Sequence, residues 1–150
     1  MKSLHLPTFD VQVVDQVDGK YIYDIIRKKL IKLSPEEWVR QHFIHFLIYH
    51  RDYPASLFRV ERGVSKAARK GRTDVEVWNN EGIPLLLVEC KSYELKLTKQ
   101  AVLQATVYND KLKARFMVLT NGVMHFAFEL IQTAEGKRYE RLDDIPFFVR

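Results

Sequence analysis

The sequence contains little cysteine, glycine and proline, and it has no long hydrophobic run. One cysteine among 150 residues excludes a disulfide within the chain. Six glycines and five prolines, with no repeat or biased tract, exclude collagen-like and low-complexity proteins. The richest apolar stretch, Phe43 to Tyr49, is interrupted by His45 and is too short to span a bilayer. Residues 1–7 lack the apolar segment of a secretory signal, so we expect a cytoplasmic protein.

What the sequence does contain is typical of a globular domain with one core. Hydrophobic residues make up 47% and charged residues 29% of the chain. We expect a single domain, with an N-terminal extension at 1–33, a core at about 34–128 and a C-terminal tail at 129–150. The net charge of +5 favours anionic partners.

Basic residues crowd the segment that leads to Asp74. Such a segment beside an active site could contact phosphates, and it could equally be a solvated loop, and charge alone gives the two interpretations equal weight. These basic residues are Arg59, Arg62, Lys66, Arg69, Lys70 and Arg72.

A β-hairpin is predicted immediately after this segment. Residues 74–78 and 83–90 are rich in branched and aromatic side chains, and Asn79–Gly82 between them supplies turn residues. The hairpin brings Asp74 back beside Glu89. Alternation then places Glu89 and Lys91 on one face and Cys90 on the other.

Charged groups at the edge of a core are costly unless they are paired or bind a cation. Two carboxylates and a lysine suit Mg²⁺, which takes oxygen ligands. Asp74 and Glu89 could supply carboxylate oxygens, and the backbone carbonyl of Cys90 could supply a third. Lys91 could orient or deprotonate the attacking water and offset charge on a phosphate.

Two helices are predicted around this hairpin. Ser34 and Pro35 begin a helix that runs to about His50, with Val39 and Phe43 in its buried stripe. Thr98 begins a second helix that runs to about Lys111. On the first helix, a capping box is one interpretation of Glu37 and a functional role is slightly favoured over it, and we make no choice for Arg40 and Gln41. His42 and His45 are interpreted as hydrogen-bonded residues at the edge of the core, because no third metal ligand accompanies them.

The other predicted strands are assigned to packing. The continuous run Leu85–Val88 indicates a central strand that is buried on both faces. Asp24, near the end of an N-terminal hairpin, is interpreted as a turn or salt-bridge residue. The remaining strands are predicted at 9–14, 20–25, 57–61, 116–120 and 123–128.

Asp74 followed by Glu89-Cys90-Lys91 resembles the signature of the PD-(D/E)XK nuclease superfamily. The resemblance is closest to the N-terminal nuclease domain of type I restriction enzyme R subunits and extends from about Tyr23 to Phe126. One departure is Thr73, which stands where many members have proline. The further motifs that carry the resemblance are Tyr23-Asp24, Arg27-Lys28-Lys29, the segment 34–41, and Gln104 with Tyr108.

This resemblance implies an α/β (α+β) fold with a restriction-endonuclease-like core, in which helices flank a central mixed sheet and an N-terminal hairpin is added. It implies a Mg²⁺-dependent DNA endonuclease, with Mn²⁺ as a substitute, in which Asp74, Glu89 and Lys91 are catalytic. It also implies that Glu37 could reach the metal and that Gln104 and Tyr108 contact nucleic acid, as do Arg69, Lys70 and Arg72 in the basic segment.

The length leaves no room for the helicase motor of an R subunit, so we expect a free-standing nuclease domain. We expect DNA as its partner. A separate helicase or specificity protein could also bind it, and the chain could form a homodimer. The alternative function is a non-catalytic nucleic-acid-binding or regulatory module. A thiol enzyme is disfavoured, because alternation directs Cys90 into the apolar side.

Overall fold

A computed structural model describes residues 1–60 and 73–150, with side chains from residue 75 onward in the second range. Within these two ranges the chain forms two β-sheets and two α-helices, which confirms the predicted α+β class. The small sheet is antiparallel, in the order β1-β2-β3. Its strands are β1 (Val13–Gln16), β2 (Gly19–Asp24) and β3 (Lys29–Lys32).

The N-terminal hairpin is present, but its first strand is displaced from the predicted position. The prediction began at Phe9, whereas β1 begins at Val13. The ring of Phe9 instead stacks on His45, with 3.7 Å between ring centroids. The tight turn follows Gln16, and Gly19 adopts a φ of 132°, which favours glycine. β3 was missed, because a short, lysine-flanked segment carries little strand pattern of its own.

The large sheet has six strands in the order β4-β5-β6-β7-β8-β9. β6 and β7 are parallel, and the other neighbours are antiparallel, so the sheet is mixed as predicted. A short 3₁₀ turn at Ala55–Leu57 precedes it. Its strands are β4 (Phe58–Val60), β5 (Thr73–Trp78), β6 (Pro84–Cys90), β7 (Phe116–Thr120), β8 (His125–Thr133) and β9 (Gly136–Leu142).

The two helices begin at the predicted caps. In α1 (Pro35–His50), the hydroxyl of Ser34 accepts the amide N–H of Glu37 at 3.0 Å. In α2 (Lys99–Leu112), the hydroxyl of Thr98 accepts the amide N–H of Ala101 at 3.1 Å. α2 provides the crossover between the parallel strands β6 and β7, which cannot be joined by a tight turn.

β6 separates two apolar clusters, as predicted for a strand buried on both faces. Val88 and Cys90 belong to the larger cluster, which includes Val39 and Phe43 of α1. Leu87 belongs to the smaller cluster, which includes Ala105 of α2. The helices therefore cover opposite faces of the sheet at β6, and Glu89 projects on the α2 side by alternation.

The sheet extends beyond the predicted end of the core near residue 128, because β8 and β9 continue it to Leu142. The last residues then pack on the domain. The hydroxyl of Tyr53 donates to the carbonyl of Pro146 at 2.8 Å, and the amide of Phe148 donates to the carbonyl of Arg51 at 2.9 Å.

Candidate active site

The hairpin brings the backbones of Asp74 and Glu89 together, as the sequence predicted. In the β5–β6 ladder, Asp74 lies directly opposite Glu89, and Thr73 lies opposite Cys90. The turn at the far end is held by the side chain of Asn79, whose Oδ1 accepts the amides of Glu81 and Ile83 at 2.9 and 3.0 Å. The side chain of Asp74 lies outside the described part of the structure.

Glu89 and Lys91 form an ion pair at the end of β6. Lys91 Nζ lies 3.5 Å from Glu89 Oε1, and the side-chain exposures are 21% for the lysine and 1% for the glutamate. A carboxylate that is so deeply buried needs a nearby positive charge to stay ionised. Lys91 supplies a positive charge and is partly exposed, so the pair joins a buried carboxylate to an ammonium group that solvent can reach.

Cys90 lies on the opposite face and is fully buried in the α1 cluster. This position agrees with the interpretation of the side chain as a packing residue. Its backbone carbonyl remains at the strand end between Glu89 and Lys91.

The end of β7 supports the segment that begins at Lys91. The amide of Lys91 donates to the carbonyl of Thr120 at 2.8 Å. The side-chain amide of Asn121 donates to the carbonyl of Leu95, also at 2.8 Å. From the sequence, β7 and the turn after it were predicted to serve packing alone, so these contacts were not predicted. The only available signal was the pair Asn121-Gly122, which indicated a tight turn.

α2 reaches the hairpin through Tyr108. The phenol donates to Oε2 of Glu76 at 3.1 Å, and the indole of Trp78 donates to Oε1 of Glu76 at 3.0 Å. Glu76 is two residues beyond Asp74 on β5, and its backbone lies opposite Leu87 of β6. Gln104, one helical turn before Tyr108, is exposed to solvent.

A network of ion pairs and hydrogen bonds joins three polar residues of the first two turns of α1 to two residues that precede the helix. Oε2 of Glu37 accepts from Arg27 Nη2 at 3.1 Å and from Gln41 Nε2 at 2.8 Å. Oε1 of Glu37 lies 2.9 Å from Arg40 Nη1. Asp24 in turn accepts Arg27 Nε at 2.6 Å, which confirms its interpretation as a salt-bridge residue.

The network keeps Asp24 ionised although its side chain is fully buried. Burial alone would raise the pKa of this carboxyl, but the amide and guanidinium of Arg27 and the amide of Ile26 outweigh burial and lower the pKa below 3.8. The glutamate expected to close a capping box thus serves a wider network, because its carboxylate contacts two arginines.

The contact between Gly122 and α1 relates the start of this helix to the end of the hairpin. A Cβ added at Gly122 would lie 3.1 Å from Cγ2 of Val39, so the second turn of α1 rests on the loop after β7. β6 and β7 run parallel, and their carboxyl ends are therefore at the same edge of the sheet. Val39 thus lies near the edge at which β6 ends, on the face of the sheet opposite Glu89.

His42 and His45 of α1 lie at the edge of the core. Nδ1 of His42 is 2.8 Å from the carbonyl of Trp38, and His45 stacks on Phe9. Burial, with a smaller contribution from His42, lowers the pKa of His45 from 6.5 to about 4. Among the residues whose side chains are described, no group of three or more His, Cys, Asp or Glu is arranged to hold a metal ion.

Only one residue of the predicted basic segment is described. Arg59 on β4 is exposed and stacks over Trp78, with 3.9 Å from its guanidinium carbon to the ring centroid. The other members, Arg62, Lys66, Arg69, Lys70 and Arg72, lie outside the described residues.

A family model described as the type I restriction enzyme R protein N terminus matches residues 35–146, which is more than half of the chain. The matched region includes α1, the β5–β6 hairpin, α2 and the rest of the large sheet. No curated protein and no solved structure matches the chain. In the part of the chain that the structure describes, neither helix has the length and apolar character needed to cross a bilayer.

Proposed function

Because the chain belongs to the family of type I restriction enzyme R protein N termini, we propose that it is a Mg²⁺-dependent DNA endonuclease that hydrolyses phosphodiester bonds. One observation carries the proposal. The backbone of Asp74 is paired with Glu89, and the ammonium group of Lys91 lies 3.5 Å from the Glu89 carboxylate at the same strand end.

The donor atoms at this strand end fit a hard cation. Glu89 brings a buried carboxylate, Asp74 brings a second carboxylate on the paired strand, and Cys90 brings a backbone carbonyl. Mg²⁺ prefers such oxygen ligands and is usually held by one or two carboxylates together with substrate phosphate, with Mn²⁺ as a substitute. When bound, the ion would neutralise phosphate charge and lower the pKa of a nearby water.

Lys91 is proposed as the catalytic residue that acts on the nucleophile and the phosphate. Its partial exposure allows the ammonium group to approach substrate, while the ion pair with Glu89 holds it at the strand end. From there it can orient the attacking water or stabilise the negative charge that grows on the phosphate oxygens. Glu89 therefore has two roles, as a ligand and as the anchor of Lys91.

Glu37 is proposed to support the site without binding the ion. Both of its oxygens already contact cationic or amide groups of Arg27, Arg40 and Gln41. Direct ligation would require these contacts to break inside a buried network, which is costly. The resemblance allowed a ligand role for Glu37, and its contacts favour the supporting one.

DNA is proposed to lie across the exposed face of α2 and the basic segment. Gln104 is exposed on α2, and Tyr108 places its ring between that helix and β5. Arg69, Lys70 and Arg72 are proposed to contact phosphates. A cytoplasmic location, a separate helicase or specificity partner, and a homodimer remain predictions.

The test is cleavage of supercoiled plasmid by the purified protein with Mg²⁺ or Mn²⁺. We expect nicking that is lowered about 100-fold or more by Lys91→Ala and by Glu89→Gln. Lys96→Ala is the matched control, because Lys96 is an exposed lysine of the same loop and should leave the rate unchanged.

Robust cleavage by the Lys91→Ala protein would refute this mechanism. DNA binding that weakens steeply with salt, without cleavage under any divalent metal, would instead identify a non-catalytic nucleic-acid-binding module.

A further inference from the structure

The segment after Lys91 leaves the sheet, yet the strand end of β7 holds it at two points. Residues 91–95 are irregular, with a turn in which the amide of Leu95 donates to the carbonyl of Ser92 at 3.0 Å. Before the turn, the Lys91 amide donates to the carbonyl of Thr120 at 2.8 Å. After it, the Asn121 side chain donates to the carbonyl of Leu95 at 2.8 Å. The segment is therefore attached on both sides.

Asn121 is itself held rigidly. Its Oδ1 accepts the amides of Val123 and Met124 at 2.9 and 2.8 Å, so the side-chain oxygen is engaged while Nδ2 is directed at Leu95. The residue is almost completely buried. A buried amide with its oxygen and nitrogen both engaged has little freedom to rotate.

The hydroxyl of Thr120 stabilises the same corner, residues 120–125 between β7 and β8, through two further contacts. It accepts the amide of Gly122 at 2.9 Å and lies 2.7 Å from Nδ1 of His125. Nε2 of His125 lies 3.2 Å from the carbonyl of His5, which can only accept. This assigns the proton of His125 to Nε2 and makes the Thr120 hydroxyl the donor to Nδ1. The corner is thus a connected set of hydrogen bonds.

We propose that Thr120 and Asn121 are positioning residues for Lys91. This inference rests on the proposed function of Lys91. A lysine has a long, flexible side chain, so the place of its ammonium group depends on where the backbone holds its Cα. The two attachments fix that backbone where the regular strand ends. Displacement of a catalytic group by about 1 Å can lower a rate about 100-fold.

The experiment compares substitutions at this corner with a matched control elsewhere. Asn121→Ala removes the attachment to Leu95, and Asn121→Asp replaces the donating nitrogen with a second carboxylate oxygen, which cannot donate to the Leu95 carbonyl and adds a negative charge. Thr120→Val removes the hydroxyl, whereas Thr120→Ser retains it. The control is Asn109→Ala, because Asn109 is also a buried asparagine and braces a different connection, by accepting the amide of Ala114 at 3.0 Å and donating to its carbonyl at 3.1 Å.

Two measurements are made on each folded variant. The first is the exchange rate of the Lys91 amide hydrogen, divided by that of the Val88 amide in the middle of β6, so that a general loss of stability cancels. The second is plasmid cleavage with saturating Mg²⁺. We expect Asn121→Ala, Asn121→Asp and Thr120→Val to raise the exchange ratio about 10-fold and to lower kcat about 10-fold with KM for DNA within twofold. Thr120→Ser and Asn109→Ala should leave both within threefold.

An unchanged exchange ratio in Asn121→Asp would overturn the inference, and so would a raised ratio with an unchanged kcat. Loss of cleavage in Asn109→Ala equal to that in Asn121→Ala would also overturn it, because the effect would then be general destabilisation. Wild-type protein that cleaves no DNA would overturn the nuclease proposal by itself, because the exchange ratio tests the attachment of Lys91 without turnover.

Discussion

The carboxylate of Glu37 lies between two guanidinium groups, with Oε1 2.9 Å from Arg40 Nη1 and Oε2 3.1 Å from Arg27 Nη2. Arg40 is 2% exposed, and its Nε has no hydrogen-bond partner among the described residues. Glu37 therefore compensates the positive charge of a buried arginine near the first turn of α1. Losing this anion would leave a buried charge uncompensated.

Glu37→Gln should accordingly lower stability while leaving metal binding intact. We expect a loss of about 3 kcal/mol in the free energy of unfolding, measured by urea denaturation. The affinity for Mn²⁺, measured by electron paramagnetic resonance, should stay within twofold of wild type. Glu89→Gln is the comparison and should weaken Mn²⁺ binding about 10-fold or more. Equal loss of Mn²⁺ affinity in the two variants would make Glu37 a ligand.

Gly122→Ala should destabilise the protein more than Gly82→Ala does. Both glycines have positive φ values, 85° and 77°, so alanine is strained at either position. A Cβ at Gly82 would meet open space, whereas one at Gly122 would lie 2.9 Å from Leu4 Cδ2 and 3.1 Å from Val39 Cγ2. We expect about 1 kcal/mol for Gly82→Ala and clearly more for Gly122→Ala in urea denaturation. Equal losses of unfolding free energy in the two variants would show that α1 shifts to accommodate the added methyl group.

Stability should fall as the pH drops from about 6.5 to about 4, because burial lowers the pKa of His45 to about 4. Between these values the unfolded chain binds a proton that the folded chain does not, so acidification favours unfolding. The lowered pKa values of His42 and His125 act in the same direction. The carboxyls with lowered pKa values, Asp18, Asp24 and Asp144, titrate below 3.8, outside this window.

The measurement is urea denaturation of wild type and His45→Phe across this pH range. Phenylalanine keeps a flat ring against Phe9 and cannot titrate, so the pH dependence should become shallower. An unchanged slope would assign the acid sensitivity to other groups.

Tyr108→Phe and Gln104→Ala should separate the structural and binding roles of α2. Removal of the phenol oxygen loses the hydrogen bond to Glu76, and we expect a loss of about 1 kcal/mol in the free energy of unfolding. Gln104 is exposed, so its substitution should leave stability unchanged and weaken DNA binding severalfold in a fluorescence anisotropy titration. Unchanged DNA affinity in Gln104→Ala would remove this residue from the proposed interface.

Local patterns were sufficient for the two described helices and for the presence of the central hairpin. Ser34 and Thr98 are recognisable as caps because a cap depends only on residues within the next turn. The return of Asp74 toward Glu89 follows from the turn Asn79–Gly82 between two apolar strands. Their exact pairing also depends on an irregularity in the ladder, where the register shifts by one residue between Val77 and Trp78, and the sequence did not predict this shift. Asp24 was interpreted correctly because its partner Arg27 is three residues away.

Contacts between distant segments were not predictable in this way. β9 extends the sheet through a segment expected to be a tail, and its charged residues carry no apolar alternation. Sequence spacing did not indicate the ion pair between Glu37 of α1 and Arg27, which lies between β2 and β3. It also did not indicate the hydrogen bond from the Asn121 side chain to the carbonyl of Leu95.

The sequence by itself thus determined which residues could form the candidate site, because Glu89 and Lys91 share a strand face and Asp74 returns beside them through a local turn. Only the tertiary structure decided what holds that site in place. The parallel pairing of β6 with β7 brings Thr120 and Asn121 to the end of the hairpin, and this pairing depends on a crossover through α2. Such contacts depend on packing between elements that are distant in the chain, and no local pattern encodes them.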